Sequence, residues 1–325
     1  LMLRKLIIFT IFIFSVSCSS VKFIGNPITI NSENLNNKLS EENLVFFNEN
    51  QKEIWPLLDI NDDKIPGMSV NKANKELIKD KKGEKIIVAI IDSGVEIDHP
   101  YLSEFIWTNS NEIPNNGIDD DQNGYVDDLN GWNFLGKSDK ENLEYVRLLK
   151  KSKPEDKMRE IYQKEIDDAI DKNNKTLNRI RSLSKTMEKS DSILKVITGK
   201  DDYKIEDAKE IVPKSIEIDE AIRFMESAIS NNWTELRFLD AIDYYESSNK
   251  YHNNIEFDGR SIVGDDPDNF NDRNYGDSNV DDTNNHGTHV SGIVRSISES
   301  VKILPIRCVP DGDEYDKDVA LSIIY

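Results

Sequence analysis

The chain of 325 residues has four histidines, and two of them stand three residues apart in NNHGTHVSG, Asn284 to Gly292. Imidazole is the side chain best suited to exchanging a proton near neutral pH. As a base it needs an acceptor at one ring nitrogen, which fixes the tautomer and leaves the other nitrogen free. A candidate acceptor lies far upstream. Lys85 to Asp92 reads KIIVAIID, an apolar run that ends in an acid and is followed by Ser93-Gly94. Such a run is the pattern of a central strand buried on both faces of a parallel sheet. The carboxyl ends of parallel strands are where sites collect. Asp92 can therefore orient a histidine, although a lone strand-end aspartate is more often a turn or cap residue.

The HxxH spacing also raises a zinc reading, with His286 and His289 as ligands. Helical zinc pairs use i, i+4 with a glutamate between them. Here the spacing is i, i+3 and no glutamate intervenes. The small residues Gly287, Ser291 and Gly292 instead mark a tightly packed helix start facing the sheet's carboxyl edge. No catalytic metal is expected.

A second cluster of chemistry lies in NGIDDDQNGYVDDLNGWNF, Asn116 to Phe134. Asp119, Asp121 and Asn123 alternate, Gly124 follows, Tyr125 offers its carbonyl, and Asp127 and Asp128 come next. Alternating oxygens with glycine at the sixth position match the first half of an EF-hand loop. The twelfth position is Asn130 rather than a bidentate glutamate, so a compact loop holding a structural calcium is expected instead of a true EF-hand. The bland reading is an Asx-rich turn with solvated carboxylates. The acidic run from Asp265 to Asp282 offers a weaker second site or a cleft wall.

These residues need elements to position them. Val301 to Cys308, VKILPIRC, reads as a second strand, with Pro305 weakening a central ladder position. Cys308 in this apolar setting reads as a buried, inert thiol. Between the strands, from Lys137 to Gly259, Gly199 is the one internal glycine and Lys, Glu and Asp dominate. Met158, Ile161, Tyr162, Ile166, Ala169, Ile170, Leu177, Ile180 and Met187 recur at helical steps after Pro154, which predicts a long amphipathic helix. A further helical pattern covers Ile216 to Ser247. Upstream, IPGMSV reads as a turn and NKANKELIKDKK as a short basic helix.

The N-terminus, LMLRKLIIFTIFIFSVSCSS, has the layout of an export signal: Arg4 and Lys5, an apolar run from Leu6 to Phe14, and small residues before Cys18. The run is too short to span a bilayer. The net charge of −20 argues against a nucleic-acid partner.

Two stretches together are specific. VAIIDSGVEIDHPYL and NNHGTHVSGIV resemble the Asp and His motifs of the subtilisin-like serine proteases. The resemblance covers roughly 55–135 and 256–325. It implies a doubly wound parallel α/β sheet with Asp92 as the orienting acid and His286 as the general base toward a serine, while His99 and His289 are structural. The implied activity is that of a serine endopeptidase acting on peptide or protein substrates through an acyl-enzyme. Calcium is frequent in that family. Cys18 resembles a lipoprotein cleavage site, so the expected location is the cell envelope, at the outer membrane or cell surface, with lipidated Cys18 in the membrane.

The resulting organisation is a signal peptide (1–18), a tether (19–54), the first part of a peptidase domain (55–136), a helical insertion (137–255) and the second part of that domain (256–325). In most members the two motifs lie closer together than Asp92 and His286. An insertion still lets them meet, because loop closure costs grow only logarithmically with length. The family's oxyanion asparagine and its nucleophile, in a Gly-Thr-Ser-Met-type motif, fall beyond the point where these motifs end. Ser291, Ser296, Ser298, Ser300 and Ser322 lack a Gly-x-Ser setting. The expectation is an incomplete peptidase fold that does not hydrolyse peptides by itself. The alternative is a non-catalytic surface lipoprotein that keeps the scaffold as a calcium-dependent binding module.

Overall fold

The computed structural model describes residues 49–325 except 80, 82 and 212–214. The expected export signal, Cys18 and the tether up to residue 48 lie outside the described residues. Among the described residues no helix is long and apolar enough to cross a membrane.

The described residues divide into two compact units, one ending at 81 and the other running from 83 to 325. In the first, helix α1 (Glu49–Ile54) runs into a 3₁₀ turn, and α2 (Val70–Ala73) continues into a π-turn over Asn74–Ile78. The basic helix expected from NKANKELIKDKK is thus shorter than its pattern. Leu58 and Ile65 are buried. The Asp59 carboxylate accepts the Ser69 hydroxyl and the N–H groups of Asn61 and Asp62, which hold its pKa down to about 2.

In the second unit, β1 (Ile86–Asp92), β2 (Trp132–Asn133) and β3 (Val301–Arg307) form a parallel sheet in the order β1-β3-β2. Register pairs Ile90 with Pro305 and Asp92 with Arg307. The central strand among those described is β3. The expectation of a β1 buried on both faces is corrected: among the described residues β1 pairs only with β3, and Ile86 and Ile87 are more than half exposed, at 56% and 53%. Pro305 sits one residue before the short ladder with β2, which involves only Ile306 and Arg307 of β3.

Alternation along the strands builds two cores. On one face Val88 and Ile90 of β1 and Ile303 of β3 pack with Val95, Leu102 and Ile106 and with Val290 and Val294 of helix α9 (His286–Ile297). On the other, Ile91, Leu304, Ile306 and Cys308 join Trp132, Phe134, Tyr275 and the helix α10 (Asp316–Ile324) residues Val319 and Leu321. Helices therefore cover both faces of a parallel sheet, an α/β fold. Cys308 is buried and free, and burial pushes its thiol up to about 12.

Between β2 and β3 the chain is mainly helical: α3 (Glu144–Lys151), α4 (Arg159–Thr198), α5 (Ile205–Lys209), α6 (Ile216–Ser230), α7 (Glu235–Ser247) and α8 (Arg260–Val263). The periodic face of α4 divides its burial. Ile166 and Ile170 meet Val146 and Leu149 of α3, whereas Leu194 meets Ala221 and Ile222 of α6. The helical pattern over 216–247 forms two helices, α6 and α7. Asn232 turns with φ 52°, and Thr234 caps α7 by accepting the Arg237 N–H.

Candidate active site

Asp92 is the last residue of β1, on the same face as Ile90 and hence toward α9. His286 is the first residue of α9. Its Nδ1 lies 2.8 Å from Asp92 Oδ1 and 2.9 Å from Oδ2. A carboxylate can only accept, so Nδ1 carries the proton and Nε2 keeps its lone pair. The hydrogen bond from Nδ1–H to Asp92 and the charge of Asp92 raise the His286 pKa above its ordinary 6.5. The His286 side chain is 70% exposed, so Nε2 is open to a reactant. Among the described residues no serine hydroxyl bonds to it.

Backbone packing sets this approach. A Cβ on Gly287 would lie 2.0 Å from the Gly94 carbonyl oxygen, and one on Gly94, at φ +114°, would lie 2.6 Å from that of Asp281. Only glycines let the His helix sit so close to the Asp turn. The Cys308 and Val309 N–H groups donate to the Asp92 carbonyl, which ties the strand end to its neighbour.

His289 is exposed, and His99 Nδ1 accepts the Tyr101 N–H. The one group of His, Cys, Asp and Glu side chains among the described residues with donor atoms close enough to share an ion is Glu112, Asp119 and Asp121. It contains no histidine.

That carboxylate group holds two of the loop residues singled out in sequence, with donor oxygens within 4.8 Å of one another. Glu112 was missed: it lies outside the alternating pattern, in NSNEIPNN, and its only signal is an acid among turn-forming residues. It is buried, and it accepts the N–H groups of Asp120, Asp121 and Asp127. Gly124 turns at φ +99°, as the sixth position requires. The other loop residues have different partners. Asn123 Oδ1 accepts the Tyr125 N–H, Asp127 accepts the N–H groups of Asn116 and Gly117, and the Tyr125 ring packs against Trp132 at a tilt of 58°. Asp128 is fully buried and accepts from Asn109, Asn123 and the Tyr325 hydroxyl. Along 265–282 the acids pair elsewhere: Asp265 with Lys317, Asp277 with Asn133, and Asp282 with Ser93, Asn284 and Thr288.

A histidine held by a strand-end carboxylate, with its far nitrogen exposed, can withdraw a proton from a hydroxyl and return it to a leaving group. Over 65 residues the chain is 40% identical to subtilisin-like protease 1 of Plasmodium falciparum (isolate 3D7), covering 20% of this chain and 9% of that protein. Over 62 residues it is 40% identical to subtilisin-like protease 1 of Plasmodium berghei (strain Anka), covering 19% and 10%. The match thus spans about a tenth of the length of these curated relatives. No solved structure matches the chain. The family model for the subtilases matches residues 83–325, three quarters of the sequence, and the chain therefore belongs to the subtilase family.

Proposed function

We propose that residues 83–325 supply the acid and the base of a serine endopeptidase, with peptides or proteins as substrates. The observation that carries this reading is the His286 Nδ1 contact of 2.8–2.9 Å with both Asp92 oxygens, with Nε2 exposed. His286 Nε2 takes the proton of a serine hydroxyl as its oxygen attacks the scissile carbonyl. It then gives that proton to the leaving amine, and water repeats the cycle to release the acyl group. Asp92 holds the imidazole in the productive tautomer and stabilises the imidazolium. The test is proton NMR of the imidazole. Asp92→Asn should erase the downfield Nδ1–H resonance and lower the His286 titration midpoint, and an unchanged midpoint would refute the dyad.

The same reading takes the sheet as the doubly wound sheet of the family, interrupted by the helical segment 137–255. It also gives Glu112, Asp119 and Asp121 a structural calcium. Three carboxylates with donor oxygens within 4.8 Å of one another form a hard, all-oxygen donor set that suits calcium and repels itself when empty. The ion would pin the 109–128 loop and take no part in proton transfer. Saturating calcium at about a hundred times its Kd adds about 2.7 kcal/mol. Thermal melting should therefore rise with calcium in the wild type and not in Glu112→Gln. Export and lipid anchoring at Cys18 complete the proposal on the strength of residues 4–18. Labelling with a radioactive fatty acid, lost in Cys18→Ala, checks them.

A further inference from the structure

His286 raises a mechanical question. Its side chain is largely exposed, so packing does not hold it, yet it meets a carboxylate 194 residues away in sequence with hydrogen-bond precision. The start of α9 supplies the answer. The first N–H groups of a helix lack internal partners and are ordinarily satisfied by the N-cap side chain. Here the N-cap is Asn285, in a left-handed conformation at φ 62°, and its side chain caps nothing. The two N–H groups after His286 are taken from outside the helix instead. Gly287 donates to the Ser93 hydroxyl at 3.3 Å, and Thr288 donates to Asp282 Oδ2 at 2.8 Å. The Ser93 hydroxyl in turn donates to Asp282 Oδ1 at 2.8 Å, and Asn284 donates its N–H to the same oxygen at 2.9 Å. Thr288 Oγ1 closes the frame by accepting the Glu96 N–H at 2.9 Å.

We propose that Asp282 is the positioning residue of the dyad: its carboxylate, shared between the Ser93 hydroxyl and the Thr288 N–H, fixes the His286 helix against the Asp92 turn. Ser93 directly follows Asp92, and Thr288 lies two residues after His286, so one carboxylate spans both halves of the site. An acidic cap also suits the positive end of a helix dipole. Burial works against its charge, but the Thr288 and Asn284 N–H groups and the Ser93 hydroxyl outweigh it and hold the Asp282 carboxyl below the ordinary range. Its charge adds to that of Asp92 in favouring protonated His286. Arg307, on the same sheet face, reaches Thr283 Oγ1 at 3.3 Å and stands as the cation of this corner. The assignment rests on the reading of Asp92 and His286 as acid and base.

The test uses the full chain of 325 residues. Asp282→Asn, Ser93→Ala, Ser93→Thr and Asp92→Asn are compared by the Nδ1–H proton resonance, the His286 titration midpoint and the backbone amide spectrum. Asp282→Asn cannot accept at both positions, and Ser93→Ala breaks the link without changing charge. Both should lose the Nδ1–H resonance and move the midpoint toward that of a free histidine while the distant amide spectrum stays native. Ser93→Thr, which keeps the hydroxyl, should retain the resonance. If Asp92→Asn abolishes the resonance but Asp282→Asn and Ser93→Ala leave it intact, Asp282 does not position the dyad and the dyad itself stands. If Asp92→Asn leaves it intact, the dyad reading is what fails. Should Asp282→Asn unfold, Ser93→Ala decides alone, and an unchanged resonance there overturns the proposal.

Discussion

Replacing Gly287 by alanine pits helix propensity against the closest contact of the site. Alanine in a helix is favoured over glycine by about 0.8–1 kcal/mol. The new Cβ would lie 2.0 Å from the Gly94 carbonyl oxygen and 3.1 Å from the Asp92 Cβ. Ordinary contact begins near 3.4 Å, so helix and turn must part by about 1.4 Å, and overpacking of this kind costs about 1–3 kcal/mol. The steric term exceeds the propensity term, for a net loss of about 1 kcal/mol and a melting temperature lower by about 2–4 °C. The effect on the dyad is larger. If the helix retreats as a body, the Nδ1–Asp92 contact of 2.8 Å opens past the limit of a hydrogen bond. Gly292, on the same helix, is the control, since no atom lies within 4 Å of its Cβ position. Gly292→Ala should raise the melting temperature, through a gain of about 0.5–1 kcal/mol, and leave the His286 Nδ1–H resonance untouched. Calorimetry and proton NMR on the two variants read both arms. A Gly287→Ala protein that melts as high as Gly292→Ala and keeps its Nδ1–H resonance would refute this account of how the two motifs are docked.

Three other outcomes follow from the structure. Because the Asp92 hydrogen bond raises the His286 pKa above 6.5, protonated His286 stabilises the fold below that ordinary value, and the contribution fades as pH climbs through the raised one. The stability gap between wild type and Asp92→Asn, measured in urea, should therefore be fully present at pH below 6.5 and shrink as the pH rises above it; a gap that widens contradicts it. The Lys317 and Asp265 side chains are almost fully buried and paired at 2.7 Å, and Arg260 is a second cation on Asp265, so Lys317→Ala removes one of two charged partners and should cost about 1.5–3 kcal/mol in denaturant unfolding. Asp128→Ala leaves the Tyr325 hydroxyl without its acceptor and the Asn109 and Asn123 amides with Asp121 alone, and should cost about 1–3 kcal/mol, with faster amide exchange over 109–128.

Much of the site was legible because its chemistry is local. The apolar run ending in Asp92 announces a strand whose tip carries an acid, and His286 opens a helix that small residues allow to pack closely. Gly124 is at the place where a turn needs positive φ. The partners were not legible. Glu112 joins Asp119 and Asp121 through a fold-back of the loop that no periodicity encodes. The break between α6 and α7 was hidden because the apolar pattern runs on through Asn232, while the backbone there turns left-handed.

The sequence by itself determined which aspartate and which histidine are candidates to meet, the alternation of strand and helix, and the polar, helical character of the stretch between the motifs. These follow from residue types and from spacings shorter than one element. Only the tertiary structure decided that β3 lies between β1 and β2, that both sheet faces carry helices, and that Asp282 and Ser93 cap the helix of His286 from outside it. The physical reason is the same in each case. A cap, a ladder or a cation cage is satisfied by whichever donor or acceptor the folded chain brings within about 3 Å, and that choice depends on contacts between segments nearly two hundred residues apart.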